Sequence, residues 1–351
     1  MLHPLEKYNY NIDEKNIRRE PLLKRDDSRL FVYDTQKDEI VFDYFYNLVK
    51  YLPKDSLIVL NNTGVIPARV TFKKDTGGKV SGLVLVNEGF DKDGAIPIIV
   101  GEQIFPERKL SLLNDYWFTI TRQDEQRFYI KPEFDKNLLP EILEKCGITP
   151  TPYYLGKISL EENELRNRYQ TIFSKEKKSV AAPTASLHFT NEVFASLKEK
   201  NIEKVEITLD VGLGTFAEVE DKNVKEKKLH LEKFFISKET TNRIREQKEN
   251  NRSLIAVGTT VTRTLESNAL DIFSKTENII GQTDMFIMNG YEFKIVDHLL
   301  TNFHVPKSSL MALVDAFLTH KKSKKNILEL YETAKKEGFQ FYSFGDSMLI
   351  L

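Results

Sequence analysis

The 351-residue chain contains one cysteine, Cys146, and no long apolar run. A single cysteine excludes an intramolecular disulfide framework and a zinc site built from cysteines, and it is typical of a reducing compartment. No stretch approaches the roughly 18 apolar residues of a membrane-spanning helix, and the charged N terminus lacks the pattern of a secretory signal. We therefore expect a cytoplasmic protein with no membrane partner.

An excess of charge of one sign is also missing. The 51 lysines and arginines nearly balance the 52 aspartates and glutamates, for a formal net charge of -1. The chain therefore lacks the strongly basic character with which many proteins hold nucleic acid, although a local basic face is compatible with this total. The lysine-rich stretches KNVKEKK and HKKSKKN are most simply solvated, and contacts with an RNA backbone are the alternative interpretation.

Sequence motifs of several common enzyme classes are absent. The six histidines show no metal-ligand spacing, so we expect no metal. No Gly-x-Ser-x-Gly elbow indicates an α/β-hydrolase. The stretch LDVGLGTFAEV (209–219) contains Gly-x-Gly, but Ala217 stands where a dinucleotide fingerprint needs a third glycine. The pattern therefore excludes a nicotinamide cofactor site of this type.

What is present is an alternation of strand and helix patterns around a β-rich segment. From residue 180 onward, apolar strand candidates alternate with amphipathic helix candidates, and FDYFYNLVKYL (42–52) also has helical spacing. Between residues 71 and 135 the apolar runs are short, alternating and separated by turns. We predict an α/β fold, with a large mixed α/β domain from residues 1–68 and 155–351 and an inserted small β-barrel domain at 69–154.

Polar residues gather at the ends of the predicted elements. RDDSRL (25–30) precedes a strand, NNTGVIPAR (61–69) follows one, and VGTTVTRTLES (257–267) leads from a strand through a turn into a helix. His188 and His304 each stand in a loop before a helix. Taken singly, a charged turn, a capped helix or a packed histidine explains each motif, whereas loops at strand ends are also where ligands bind.

Together, nine motifs resemble those of the S-adenosylmethionine:tRNA ribosyltransferase-isomerase family, in the same order along essentially the whole chain. In chain order they are RDDSRL, NNTGVIPAR, TGGKV, RYQTIF, SVAAPTASLHFT, VGLGTF, VGTTVTRTLES, TNFHVPKSSL and FGDSML. The resemblance implies a large α/β domain with an inserted β-barrel. It also implies transfer and isomerisation of the ribosyl part of S-adenosylmethionine, a co-substrate, onto the aminomethyl group of a 7-deazaguanine at the tRNA wobble position. Epoxyqueuosine in tRNA, adenine and methionine would be the products, and no metal would be needed.

The implied chemistry suggests roles for the residues that match these motifs. The sulfonium acidifies the adjacent ribose carbon, so a base must take that proton, and the departing adenine needs a donor; histidine suits both transfers. The candidate acid–base groups are His188, His304, His230 and Asp346. The candidate substrate-binding residues are Arg25, Asp26, Ser28, Arg29, Asn61, Thr63, Arg69, Thr184, Gly212, Gly214, Thr215, Phe216, Thr259, Thr260, Arg263, Glu266, Asn302 and Lys307. Of these, Glu266 could be a carboxylate partner for a histidine, and the three arginines Arg25, Arg69 and Arg263 suit the methionine carboxylate or a tRNA phosphate. We expect a monomer or weak oligomer.

The chain departs from the family pattern at several motif positions. Asn62 and Gly64 replace a carboxylate and a cation, and Asp210 replaces a histidine. The other departures are Ser81, Ser186, Ala217 and Lys227. Because the changes alter charge or hydrogen bonding while the scaffold residues remain, they suggest a divergent member with a changed pocket. A paralogue that uses another acceptor, and a catalytically silent binding protein, are the alternatives.

Overall fold

Two large β-sheets of different kinds and a short two-stranded sheet organise the chain in a computed structural model that describes residues 3–212 and 219–351. The strands are β1 (Arg29–Asp34), β2 (Glu39–Tyr44), β3 (Leu57–Asn61), β4 (Gly64–Val65), β5 (Arg69–Lys74), β6 (Lys79–Val84), β7 (Ile96–Val100), β8 (Lys109–Leu112), β9 (Tyr116–Asp124), β10 (Arg127–Pro132), β11 (Lys177–Ser179), β12 (Glu203–Leu209), β13 (Lys228–Ile236), β14 (Leu254–Val257), β15 (Ile279–Met285), β16 (His298–Asn302) and β17 (Ser347–Ile350). The α-helices are α1 (Leu139–Cys146), α2 (Glu162–Arg168), α3 (Asn191–Glu199), α4 (Asp221–Glu226), α5 (Lys238–Glu249), α6 (Thr259–Ser267), α7 (Ala269–Ser274), α8 (Ser309–His320) and α9 (Ile327–Lys336). Short 3₁₀ helices lie at Glu6–Tyr8, Glu14–Asn16, Arg25–Asp27, Phe45–Lys50, Lys136–Leu138, Tyr153–Leu155 and Thr184–Ser186.

The larger sheet has nine strands in the order β15-β13-β12-β3-β14-β16-β17-β1-β2. Its central strands β12, β3, β14 and β16 are parallel to one another. The whole of β14 is buried: Leu254 and Ala256 pack in the core that contains α8, whereas Ile255 and Val257 pack in the core that contains α3. The sheet is therefore covered on both faces, which accounts for the continuous apolar runs of its parallel strands.

The carboxyl ends of these four strands meet at one edge of the sheet. Asp210 follows β12, Asn61 ends β3, Gly258 follows β14 and Asn302 ends β16. Four sequence motifs that are far apart in the chain therefore come together there. In open sheets of this type, the carboxyl edge is where ligands bind.

The second sheet is a closed barrel in the order β10-β7-β6-β5-β8-β9. Buried and more exposed residues alternate along β5 and β10, and rings such as Phe72 and Phe118 fill the interior. All six strands lie between Arg69 and Pro132. The mixed α/β fold class with a β-barrel is thus confirmed, and the domain boundaries at 68/69 and 154/155 stay predictions.

The helix predicted over residues 42–52 is not formed. β2 continues to Tyr44 as the edge strand of the large sheet, and the 3₁₀ helix Phe45–Lys50 follows. Elsewhere, polar side chains fix the helix starts: Ser308 caps α8, and Asn326 with Glu329 forms a capping box at α9. Among the described helices, none is long and apolar enough to cross a membrane.

Candidate active site

A cleft opens at the carboxyl edge of the large sheet, where β14 and β16 end. Its lining consists of Tyr154, Ala182, Pro183, Thr184, Ala185, Val211, Gly258, Thr259, Thr260, Thr301, Asn302, Phe303, His304, Val305, Leu310, Tyr342 and Ser343. Five residues that the sequence suggested are therefore in one place: Thr184, Thr259, Thr260, Asn302 and His304. The lining contains no aspartate, glutamate, lysine or arginine among the described residues, so the cleft offers hydrogen-bonding groups and rings rather than formal charges.

The N terminus of α6 faces this cleft. Gly258 adopts a positive φ of 88°, which turns the chain sharply from β14 into the helix, and no side chain caps α6. The first helical hydrogen bond runs from the Thr262 N–H to the Gly258 carbonyl at 3.2 Å. The N–H groups of the three residues between them precede this bond, so the positive end of the helix dipole points to the cleft.

Asn302 is tied to the loop that carries Thr184. The Thr184 hydroxyl donates to Asn302 Oδ1 at 2.9 Å. The Asn302 side chain is almost completely buried, and its Nδ2 group has no hydrogen-bond partner among the described residues. A buried amide donor without a partner is costly, so this group is a strong candidate for contact with a ligand.

His304 is the histidine of the cleft. Burial lowers the pKa of its imidazole to about 3, so the ring is neutral at pH 7. Its Nε2 lies 3.0 Å from the Thr301 hydroxyl. The backbone on either side of the ring is held by tyrosines, because Tyr10 donates to the His304 carbonyl and the His304 N–H donates to Tyr331 at 2.9 Å.

Three cleft residues escaped the sequence reasoning: Tyr154, Tyr342 and Ser343. The two tyrosine rings lie 4.8 Å apart, and the Tyr154 and Ser343 hydroxyls are 2.6 Å apart. Tyr342 has a φ of 71°, which is unusual for a bulky residue and is a conformation that clusters at functional sites. The only sequence signal was the proximity of these aromatic residues to Pro152 and Gly345.

His188 lies in a smaller neighbouring pocket, which shares Ser343 with the cleft. Its Nδ1 donates to the Arg25 carbonyl at 3.3 Å, and its ring packs against Phe45 with the ring centres 5.3 Å apart. Burial lowers the pKa of His188 to about 4, although the charge of Asp346 opposes this shift. Its surroundings are thus those of a neutral, packed histidine, and a catalytic role for it stays a prediction.

The RDDSRL residues hold the scaffold together in this structure. Arg25 donates to the carbonyls of residues 167, 170 and 187, and burial lowers its pKa. Asp26 accepts from Thr190 at 3.0 Å. The fully buried Asp346 carboxylate accepts from the Ser28 hydroxyl, the Arg29 N–H and other donors, so it joins the two ends of the chain. Arg29 also stacks on the ring of residue 339.

The residues at and just after the end of β3 hydrogen-bond mainly to other strands. Asn61 bonds the backbone of residue 209 through both its amide and its carbonyl oxygen, and the Thr63 and Ser179 hydroxyls are 2.6 Å apart. Asp210 lies beside them, with burial raising its pKa to about 6. Arg69 donates to a backbone carbonyl, Thr151 O, at 3.3 Å.

Other predicted binding residues are engaged elsewhere. Arg263 forms a buried ion pair, and Glu266 accepts backbone hydrogen bonds from residues 294–296. Lys307 pairs with an acidic residue of the N-terminal segment, and His230 is exposed and contacts Arg127 of the barrel. The remaining glycine of the described part, Gly212, donates its N–H to Glu232 Oε1 at 3.1 Å.

The last predicted binding residues fall outside the described residues. They are Gly214, Thr215 and Phe216, together with the departure at Ala217. Of the other departures, Ser81 is exposed on the barrel, whereas Ser186 is buried at the end of the 3₁₀ helix Thr184–Ser186, whose first two residues line the cleft. Asn62 bonds Glu206 and Thr208. Most departures therefore lie away from the lining of the cleft.

The chain is similar in sequence and in structure to known proteins. A sequence model of the family described as queuosine biosynthesis protein matches residues 5–350. The chain is 40% identical to the S-adenosylmethionine:tRNA ribosyltransferase-isomerase of Halothermothrix orenii, over 99% of each chain. It is 39% identical to the protein of the same name from Fusobacterium nucleatum, over 99% of this chain and 96% of the other. Among solved structures, the S-adenosylmethionine tRNA ribosyltransferase of Thermotoga maritima is similar, with a TM-score of 0.55, 30% identity, and coverage of 98% of this chain and 100% of that one.

Proposed function

This chain belongs to the queuosine biosynthesis protein family, and on that basis we propose that it is an S-adenosylmethionine:tRNA ribosyltransferase-isomerase. In the proposed reaction, the ribosyl part of S-adenosylmethionine passes to the aminomethyl group of a 7-deazaguanine base in tRNA and is isomerised. Adenine and methionine leave, and tRNA carries epoxyqueuosine. We also propose a cytoplasmic location, which a reaction on tRNA supports.

The observation that carries this proposal is that the cleft at the carboxyl edge of the sheet has groups suited to each part of S-adenosylmethionine. S-adenosylmethionine combines a sulfonium cation, a carboxylate and a nucleoside. The rings of Tyr154 and Tyr342 suit a cation, and the start of α6 suits an anion. Side chains such as Ala182 and Val211 provide apolar walls for a nucleoside.

Within this proposal, His304 is the favoured proton acceptor. This choice rests on its position: His304 lines the cleft and is unprotonated at pH 7, although burial, which lowers its pKa to about 3, also makes it a weak base. Two backbone hydrogen bonds fix its position, because the Tyr10 hydroxyl donates to the His304 carbonyl and the His304 N–H donates to the Tyr331 hydroxyl. His188 lies one pocket away and is the second candidate.

The test is to incubate the purified protein with S-adenosylmethionine and tRNA that carries the aminomethyl precursor. We expect adenine release that depends on this tRNA, with epoxyqueuosine detected by mass spectrometry of the digested tRNA. Unmodified tRNA is the matched control and should release no adenine. Release that needs a different acceptor would support the paralogue alternative, and tight binding of S-adenosylmethionine without turnover would support a silent binding protein.

A further inference from the structure

We propose that the N terminus of α6 binds the carboxylate of the methionyl part of S-adenosylmethionine, and that the Asn302 amide donates to the same carboxylate. This inference rests on the proposed function, because it assigns one end of the co-substrate to one end of the cleft. The orientation it gives places the amino acid part against β14 and β16.

The start of α6 supplies several donors in one place. The N–H groups of Thr259, Thr260 and Val261 come before the first helical hydrogen bond, and none of them bonds another of the described residues. The helix has 9 residues, so its dipole adds to the attraction for an anion. Such a terminus binds carboxylates and phosphates through its backbone.

Asn302 is an independent indication of a ligand at the same place. Its side chain is 3% exposed and lines the cleft. Because Oδ1 already accepts from Thr184, the amide Nδ2 is the part of the group that remains for a ligand. A donor in this position needs an acceptor, which a carboxylate oxygen provides.

The two donors are brought together by the turn at Thr184–Ser186. Thr184 contacts Asn302, and a Cβ built on Gly258 would lie 3.6 Å from the Ala185 Cβ. The Gly258 N–H also donates to the carbonyl of Leu300, two residues before Asn302, at 2.7 Å. The helix start and the amide thus flank one short turn and can reach one small anion.

The composition of the cleft favours a carboxylate over a tRNA phosphate. Phosphates of nucleic acid are usually contacted by arginine or lysine, and the described lining contains neither. The walls near the helix start are small apolar residues, for example Pro183 and Ala185. An amino acid carboxylate needs only a few hydrogen-bond donors, and that is what the structure provides.

The experiment compares S-adenosylmethionine with its decarboxylated analogue by isothermal titration calorimetry. We expect the wild-type protein to bind S-adenosylmethionine at least about tenfold more tightly than the analogue. Asn302→Asp places a negative charge beside the carboxylate. The affinity for S-adenosylmethionine should therefore fall by about tenfold or more, and the affinity for the analogue should change by less than about threefold. Asn114→Asp makes the same change on the exposed barrel surface and should alter neither affinity.

A second variant keeps the proposal testable if Asn302→Asp fails to fold. Thr259→Pro removes one N–H at the first helical position, where proline is tolerated. It should lower the affinity for S-adenosylmethionine, which has the carboxylate, and leave the affinity for the decarboxylated analogue unchanged. Equal wild-type affinity for the two ligands, or equal loss of both in the variants, would overturn the inference. Unchanged ligand binding with weaker, less salt-dependent tRNA binding would overturn it too and assign the anion to tRNA. If the wild type bound neither ligand, the proposed function itself would fail.

Discussion

The Arg263 guanidinium on α6 and the Glu232 carboxylate on β13 form a buried ion pair, with Nη1 and Oε2 2.5 Å apart and side chains only 8% and 1% exposed. Arg263 also donates through Nε to the carbonyl of Met285 at 2.9 Å. The other oxygen of Glu232 accepts from the Gly212 N–H. An arginine that the sequence suggested for substrate thus positions the helix whose N terminus faces the cleft.

Breaking this pair should destabilise the fold. Glu232→Gln leaves the buried guanidinium without its counter-charge, and we expect the free energy of unfolding to fall by roughly 3–5 kcal/mol. Urea unfolding monitored by circular dichroism measures this change. Glu203→Gln removes the exposed partner of Arg243 and should cost less than about 1 kcal/mol. Similar effects of the two substitutions would show that the buried pair has no special importance.

Replacing Asp210 should have the opposite effect on stability at neutral pH. Burial raises the pKa of this carboxyl to about 6 from its ordinary 3.8, despite the nearby Lys178 and Lys233. The folded protein then binds this proton more tightly than the unfolded chain, so stability is lost as the pH rises through about 6.

We therefore expect Asp210→Asn to raise the free energy of unfolding at pH 7 by roughly 1–3 kcal/mol. The gain should disappear below about pH 4, where the wild-type carboxyl is protonated in both states. Parallel urea titrations at pH 7 and pH 4 would show this difference. Asp13→Asn, at an exposed position, is the control and should change stability little at either pH. A less stable Asp210→Asn variant at pH 7 would contradict the argument.

The large-scale architecture was predictable from local patterns. Period-two alternation marked the barrel strands, and apolar runs such as Leu57–Asn61 marked the parallel strands. The prediction of a helix over residues 42–52 was wrong. Its apolar spacing reflects an edge strand followed by a 3₁₀ helix, a combination that periodicity cannot separate from a short α-helix.

The candidate site was predictable only in part. The sequence identified Thr184, Asn302 and His304, but strand order decides that they share a cleft, and strand order depends on pairings between distant segments. Tyr342 was missed because its importance lies in a backbone conformation and in its distance to Tyr154. Neither property leaves a pattern in one sequence.

Substitution of the two buried histidines should separate the proton acceptor from the packed residue. His304→Ala removes the imidazole from the cleft and should lower kcat by about 10²–10⁴-fold with tRNA as acceptor. His188→Ala removes a ring packed on Phe45 and should lower the free energy of unfolding by roughly 1–3 kcal/mol, with kcat reduced less than about tenfold. Single-turnover adenine release and urea unfolding measure the two effects. A fully inactive but stable His188→Ala variant would reverse the assignment.

The ring of Tyr342 should contribute to binding of the sulfonium cation, and its hydroxyl should not. Tyr342→Phe keeps the aromatic face next to Tyr154, so the KM for S-adenosylmethionine should stay within about threefold of wild type. Tyr342→Leu keeps an apolar side chain but loses the attraction between ring and cation, and KM should rise roughly 3–30-fold with a smaller change in kcat.

The comparison needs a neutral ligand as well. S-adenosylhomocysteine has a thioether in place of the sulfonium, so its inhibition constant should differ little between the two variants. If Tyr342→Leu weakened the charged and the neutral ligand equally, the ring would act through packing alone.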